Sequence, residues 1–383
     1  MKIVHVVGAR PNFMKAAPVI AALKPERQIQ QVLVHTGQHY DQRMSSIFFT
    51  QLGLPPPDVN LGVGSASHTV QLAQTMLRLE PVLAEQFPDL VLVYGDVNST
   101  LAAALVSSRL GLRVGHVEAG LRSFDRTMPE EINRLLTDQI ADLLFTPSQD
   151  ANQHLQREGI PAEKVFLVGN VMIDTLVRLL PQAMQQWHDN RDLHPWQHQP
   201  YALVTLHRPS NVDTPAMLTR IMATLAHISE SLPVIFPIHP RTSKRLDDLP
   251  LEHKPWCMDT KARLHLVEPL GYLDFLALQR HATLVITDSG GIQEETTFLG
   301  VPCLTLRENT ERPVTLTHGS NILIGHDMNR LHTEVARILA GQPKQGALPM
   351  LWDGHAAERI ATILVEQTAS RRETGSLWSQ RVV

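Results

Sequence analysis

Short apolar runs alternate along this chain with longer segments whose apolar residues recur every three or four positions. MKIVHVVG, QVLVHTG, DLVLVYGD, LRVGHVE and DLLFTPS read as strands of the kind buried on both sheet faces. PNFMKAAPVIAAL, DQRMSSIFFTQL, HTVQLAQTMLRLEPVLAEQF, NSTLAAALVSSRL and PEEINRLLTDQIA read as the helices between them, with Pro11 in the first turn of the first. The strand KVFLVGN and the helix VMIDTLVRLLPQAMQQW lead into a polar, His- and Pro-rich stretch at 188–200, which reads as a linker. Alternation then restarts with YALVTLH, PVIFPIH, TLVITDS, PCLTL and NILIG, and ends in a helix within DGHAAERIATILVEQTA. Repeated βα units in each half predict an α/β fold of two doubly wound domains facing a cleft. Sheets of this kind bind ligands beyond the carboxyl ends of their strands.

A length of 383 residues agrees with more than one core. A net charge of -4 argues against nucleic acid or an anionic membrane as the main partner, so any phosphate must be held locally. Cys257 and Cys303 are the only cysteines, which excludes a disulfide framework or a thiolate zinc site. The N-terminal stretch reads as a strand without a signal-peptide core, and no apolar run reaches the ~18 residues of a membrane span. The expected location is cytoplasmic. The histidines show no HExxH and no facial triad, so no metal is expected.

Polar residues gather where strands end. The first run ends in Gly8-Ala9-Arg10-Pro11, with Lys15 one turn on, and the second in Thr36-Gly37-Gln38-His39. Others end in Gly95-Asp96, in His116-Val117-Glu118, in His207-Arg208, in His239-Pro240-Arg241 and in Asp288-Ser289-Gly290-Gly291. DSGGIQEE is a strand, two glycines and a helix, where free N–H groups and the helix dipole favour an anion. Glu295, one turn in, can bond ribose hydroxyls; the plainer alternative makes Asp288 or Ser289 a simple N-cap. Neither a Walker loop nor a GxGxxG fingerprint is present. Arg10 and Lys15 can neutralise phosphate or merely begin a helix; Arg312 can reach the same anion or pair with Glu311. His207 is an acid, a phosphate ligand or a structural histidine.

The densest charge lies in GHVEAGLRSFDRTMPEEINRLLTD, residues 115–138. Asp96, Glu118 and Glu130 are the acid–base candidates, because carboxylates sharing a water-poor site push their pKa values apart. Glu131 reads as a first-turn residue favoured by the helix dipole. Arg122 and Arg134 are expected to hold Glu118 and Glu130 in place.

With these residues assembled, the chain resembles the non-hydrolysing UDP-N-acetylglucosamine 2-epimerases. The blocks that carry the resemblance occur in order: GARPNFMKAAPVI, TGQHYD, YGDVNSTLA, HVEAGLR, MPEEINR, VGNVMIDTL, HRPSNVD and LVITDSGGIQEETTFLGVPCLTLRENTERP. The resemblance implies two Rossmann-like domains in the GT-B arrangement, residues 1–170 with the C-terminal helix 366–383, and residues 171–365 for UDP. It implies a homodimer, a UDP-sugar substrate and no NAD or other cofactor. By motif match, Asp96, Glu118, Glu130 and His207 are catalytic. Arg10, Lys15, Arg122, Arg134, His239, Ser289, Gly290, Gly291, Glu295 and Arg312 bind substrate, with Leu270 and Phe275 near the uracil. UDP would be eliminated with the C2 proton, 2-acetamidoglucal held, and UDP added back with inversion at C2.

Two departures stand out. Many members have His-Arg-Arg-Glu where this chain has His207-Arg208-Pro209-Ser210, and the stretch from Arg122 to Pro129 is shorter than usual. Both resemble a subgroup that includes UDP-2,3-diacetamido-2,3-dideoxyglucuronate 2-epimerases, in which Arg126 would meet the sugar carboxylate. A GT-B glycosyltransferase and a non-enzymatic nucleotide-sugar sensor are the competing classes, and neither needs three carboxylates. Bacterial members often carry an allosteric substrate site near the TGQH segment, where Gln38 and His239 bear on the matter.

Overall fold

A computed structural model of the chain describes residues 1–37, 49, 51–249, 254 and 263–373. Gln38, His39, Cys257 and most of the expected helix at 41–52 lie outside the described residues, as does the side chain of Arg241.

Two compact units emerge, each with its own parallel sheet. The first holds β1 (Lys2–Val7), β2 (Gln30–His35), β3 (Val59–Asn60), β4 (Leu90–Tyr94), β5 (Val114–Val117), β6 (Leu143–Thr146) and β7 (Val165–Leu167). Their order is β3-β2-β1-β4-β5-β6-β7. The apolar runs are strands because helices cover both faces: β4 and β6 are buried at every position, and β1 at all but its first. Val4, Val34, Val91, Val93, Val114 and Leu144 pack together with Leu79 and Leu83 of helix His68–Gln86.

The second unit holds β8 (Ala202–Thr205), β9 (Val234–Pro237), β10 (Leu264–Val267), β11 (Leu284–Thr287), β12 (Cys303–Thr305) and β13 (Asn321–Leu323), in the order β10-β9-β8-β11-β12-β13. β10 escaped the sequence reading because it is an edge strand, half-exposed or exposed throughout, so it lacks a buried apolar run. In both sheets the chain builds outward from one central strand and then jumps to its other side. The reversal falls between β1 and β4 in one sheet and between β8 and β11 in the other. The crevice beyond the carboxyl ends of such a strand pair is where parallel sheets take ligands.

The contact boundary between the units falls after Thr175 and before Met350. The polar stretch at 188–200 therefore lies inside the second unit. There Asn190 caps a 3-10 helix, Arg191–Trp196, by accepting from the Asp192 amide at 3.0 Å. Residues 350–365, expected with the second domain, lie with the first unit for an identifiable reason. Trp352 is buried and donates its Nε1 hydrogen to the Pro147 carbonyl at 2.9 Å. Asp174 accepts from the Ala356 and Ala357 amides, at 3.1 and 2.6 Å, and so caps the last helix, Ala356–Glu373. That helix packs on helix Arg10–Leu23. Among the described residues no helix is long and apolar enough to cross a membrane.

Trp352 gives a direct check on this returning segment. Trp352→Ala should lower the unfolding free energy of the first unit by about 3–5 kcal/mol, measured by urea titration of the circular dichroism. A loss under about 1 kcal/mol, the size of an ordinary surface change, would show that the segment is not anchored there.

Candidate active site

At the reversal of the first sheet, β1 runs through Gly8-Ala9 into helix Arg10–Leu23. Asn12 joins the two central strands: its Oδ1 accepts from the Gly8 amide at 3.0 Å and its Nδ2 donates to the Tyr94 carbonyl at 2.6 Å. One turn on, Lys15 is only 4% exposed and its ammonium donates to Glu118 Oε2. Glu118 follows β5 with φ +74, a left-handed backbone uncommon for a residue with a side chain. Gly95 makes room for the pair. A Cβ there would lie 2.5 Å from Lys15 Nζ and 3.1 Å from Glu118 Oε2, and the φ of +62 at Gly95 itself favours glycine.

Asp96 follows. Both Nε and Nη2 of Arg134 donate to its Oδ2, at 2.9 and 2.6 Å, and Asn133 holds its carbonyl at 2.8 Å. Arg134 also donates to Glu131 Oε2 at 2.6 Å. Glu131 is buried and accepts from the Ser123 amide at 2.9 Å and the Phe124 amide at 2.8 Å. It thereby clamps the short loop that sequence reasoning assigned to substrate choice. Burial alone would raise its carboxyl, but the Ser123 amide, Arg134 and the Phe124 amide outweigh that and hold it below the usual range. Glu131 stands in the first turn of helix Pro129–Ile140, as expected, and holds the loop as well. Glu130, its neighbour, is half-buried at the start of helix Pro129–Ile140.

The arginines are also placed differently from the expectation. Arg122 is 1% exposed and holds neither Glu118 nor Glu130. It is bidentate to Glu158, at 2.8 and 2.6 Å, and pairs with Asp138 at 2.7 Å. These contacts enclose its guanidinium in the protein interior, which leaves no surface for substrate. Arg134 serves Asp96 and Glu131. Behind them, Asp138 Oδ1 lies 2.6 Å from His116 Nδ1, and His116 Nε2 lies 2.8 Å from the Gly95 carbonyl oxygen. Carboxylate and carbonyl both accept, so both ring nitrogens of His116 face acceptors. A buried histidine on a strand and an aspartate two turns into a helix gave no sequence signal of their own.

At the reversal of the second sheet, Asp288 is fully buried after β11 and reaches back across to the turn after β8. It accepts from the His207 and Arg208 amides, at 3.1 and 2.9 Å, and from Asn211 Nδ2 at 2.9 Å, and lies 3.1 Å from His207 Nδ1. Burial would raise its carboxyl, but His207 and these donors hold it low. Ser289 takes the N-cap position, as one alternative had it, though without a side-chain capping bond, while Asp288 points backward. His207 keeps a side chain 45% exposed, with the exposed His239 ring centred 6.4 Å away.

Helix Gly290–Leu299 starts against a buried charge cluster. Arg312 Nε lies 2.8 Å from Glu294 Oε1, its Nη1 donates to Glu311 at 2.5 Å, and Arg307 meets Glu311 at 2.8 Å. A Cβ on Gly290 would sit 2.6 Å from Glu311 Oε1 and 2.7 Å from Arg312 Nη1, so only glycine fits. Glu295 is buried and accepts from the Tyr272 hydroxyl at 2.9 Å. Tyr272 was missed in the sequence; it stands between the half-buried Leu270 and Phe275. Gly291 and Ser289 are half-buried at the same helix start, and Arg10 is exposed at the start of the first unit's helix.

The sequence model of the family described as UDP-N-acetylglucosamine 2-epimerase matches residues 21–365. The chain belongs to this family. A family relative named UDP-N-acetylglucosamine 2-epimerase, from Methanococcus maripaludis, is 44% identical over 88% of this chain and 92% of its own length. A UDP-2,3-diacetamido-2,3-dideoxy-D-glucuronate 2-epimerase from Pseudomonas aeruginosa is 40% identical over 96% of this chain and all of its own. The crystal structure of the Methanocaldococcus jannaschii UDP-GlcNAc 2-epimerase, in complex with UDP-GlcNAc and UDP, superposes with a TM-score of 0.85 at 42% identity, covering 96% of this chain and all of that one. A lipopolysaccharide outer core galactosyltransferase at 13% identity and TM-score 0.52 shows the fold alone.

The clamp at Glu131 has a pH signature. Its carboxyl is lowered in the folded state, so its stabilisation is present above the unfolded value of about 4.3 and is lost as pH falls through the folded value. Glu131→Gln should cost roughly 1–3 kcal/mol at pH 7. The melting difference between parent and variant should close at strongly acid pH. An equal gap at pH 7 and pH 3 would show that the ionised carboxylate is not what holds the loop.

Proposed function

We propose that this chain interconverts UDP-N-acetylglucosamine and UDP-N-acetylmannosamine by eliminating UDP and adding it back. The observation that carries the proposal is the carboxylate group at the first unit's sheet reversal: Glu118 against buried Lys15, Asp96 on Arg134, and Glu130 at the next helix start. A protein that only bound a nucleotide sugar would have no use for this group.

The chemistry divides between the units. When the C1–O bond breaks, its electron pair leaves with the diphosphate. Donors preorganised toward that oxygen stabilise the developing charge. His207, Arg312 and the N–H groups at the start of helix Gly290–Leu299 have the character for it. Glu295, oriented by Tyr272, accepts from ribose hydroxyls, and Leu270 and Phe275 flank the uracil. His239, beside His207, completes the polar edge on that side. On the sugar, a carboxylate takes the C2 proton as C1 gains cationic character, and C1=C2 forms in 2-acetamidoglucal. Re-addition at C1 with a proton delivered to the opposite face of C2 gives the epimer. Proton loss and regain balance, so the cycle has no net oxidation and calls for no nicotinamide. The charged partners of Asp96 and Glu118, Arg134 and Lys15, give the two carboxylates different surroundings, which general acid and base roles need.

The Pseudomonas relative favours a second reading, a UDP-2,3-diacetamido-2,3-dideoxyglucuronate substrate. Arg126 is exposed on the clamped loop and would meet the sugar carboxylate. We also propose a homodimer in the cytoplasm. Ile132 and Leu136 are exposed one turn apart on helix Pro129–Ile140, and Phe124 nearby is 72% exposed, which suits a self-association face.

Proton NMR in deuterated water tests the reaction. With UDP-N-acetylglucosamine, the C2 proton signal should disappear and the manno isomer should grow in. Absence of C2 exchange over hours would end the reading for that sugar, and the uronate would be tried next. Arg126→Ala should shift preference toward the neutral sugar by about tenfold, the size of one lost charged contact; an unchanged ratio removes the uronate reading. Light scattering should give twice the chain mass, and Leu136→Glu should halve it.

A further inference from the structure

Asp138 takes no part in the chemistry above, yet it is fully buried and linked, directly or through His116, to every segment that carries a reacting carboxylate. We propose that the Asp138–His116 pair is a positioning device that holds Asp96, Glu118 and Glu130 in common register. The proposal rests on reading those three as the reacting groups.

Three connections define the device. Through His116, Asp138 reaches the Gly95 carbonyl, one residue before Asp96. Its other oxygen accepts from the Gly120 amide at 3.0 Å. His116 and Gly120 stand two residues either side of Glu118, the residue with left-handed backbone, so one carboxylate grips both ends of the strained segment. A conformation of that kind persists only where its surroundings over-determine it. Asp138 itself belongs to helix Pro129–Ile140, two turns after Glu130. The two strand ends and the helix are thus tied at one point.

The choice of residue types supports a geometric role. A buried ion cluster is weak support for stability alone, since well-packed apolar side chains of similar volume often serve as well. Here Asp138 meets His116, Arg122 and a backbone amide in fixed directions, and Arg122 passes the charge to Glu158 at the surface side. Apolar packing would fill the same space without fixing the direction of Glu118.

Asp138→Asn removes the charge and turns an amide donor toward groups that already donate. A misplacement on the order of 1 Å at the reacting groups costs about 10²-fold in rate. The variant should therefore lose about 10²-fold in kcat, while KM and the Kd for UDP stay within about twofold of the parent, because UDP is assigned to the second unit. Hydrogen exchange should speed up in a peptide spanning 116–122 and stay at parental rates in β4 and β6. If Asp138→Asn does not fold, His116→Gln reads the same link, since it keeps a donor for the Gly95 carbonyl and loses Asp138. A folded variant with parental kcat would overturn the proposal, as would faster exchange across the whole first unit with kcat per folded molecule unchanged. If the parent shows no C2 exchange with either sugar, the functional reading fails separately. The device is then judged on exchange alone: local acceleration at 116–122 supports it, and none overturns it.

Discussion

Everything at the carboxyl edge of the first sheet depends on burying charge in pairs. A lone ionised side chain in a protein interior is prohibitively expensive, and breaking one pair strands its partner. The first unit solves this with chains in place of isolated pairs. Lys15 meets Glu118; Arg134 bridges Asp96 and Glu131; Arg122 bridges Asp138 and Glu158. Each arginine serves two carboxylates, so no single group can turn without disturbing another. The loop at 123–128 inherits its shape from this arrangement through the two amides that Glu131 accepts.

The second unit solves a related problem with backbone. Asp288 is enclosed by two amides, an Asn211 amide group and His207, and it fastens the turn after β8 to the end of β11. The arginine–glutamate cluster then lies beneath Gly290, where the absence of a side chain is what allows the approach. Both units present polar groups at the same topological position, the reversal of strand order. They differ in kind: carboxylates dominate one, and a helix start with basic residues the other.

The parallel sheets were legible because buried strands leave continuous apolar runs, and DLVLVYGD became β4 within a residue or two at each end. Where burial fails, so did the reading: β10 is an exposed edge and β3 is two residues long. The candidate site was legible in its placement, since Asp96, Glu118 and His207 each follow the end of a strand. Its pairing was not. Which acid an arginine meets depends on the distance between strands and helices that sequence spacing does not encode, so Arg122 was assigned to the wrong partners. Asp138 and His116 were passed over because a polar residue inside an element is ordinarily solvated, and only packing shows that these are not.

The return of residues 350–373 to the first unit also orders the birth of the protein. Domains tend to fold as units while synthesis proceeds from the N-terminus. Here the first unit lacks Trp352 and the helix against Arg10–Leu23 until the second unit has been made in full. The helix that carries Lys15 therefore waits on a segment made only after the second unit. A premature stop between Pro349 and Ala356 would spare every residue of the candidate site and still leave the Lys15 helix without the helix it packs on.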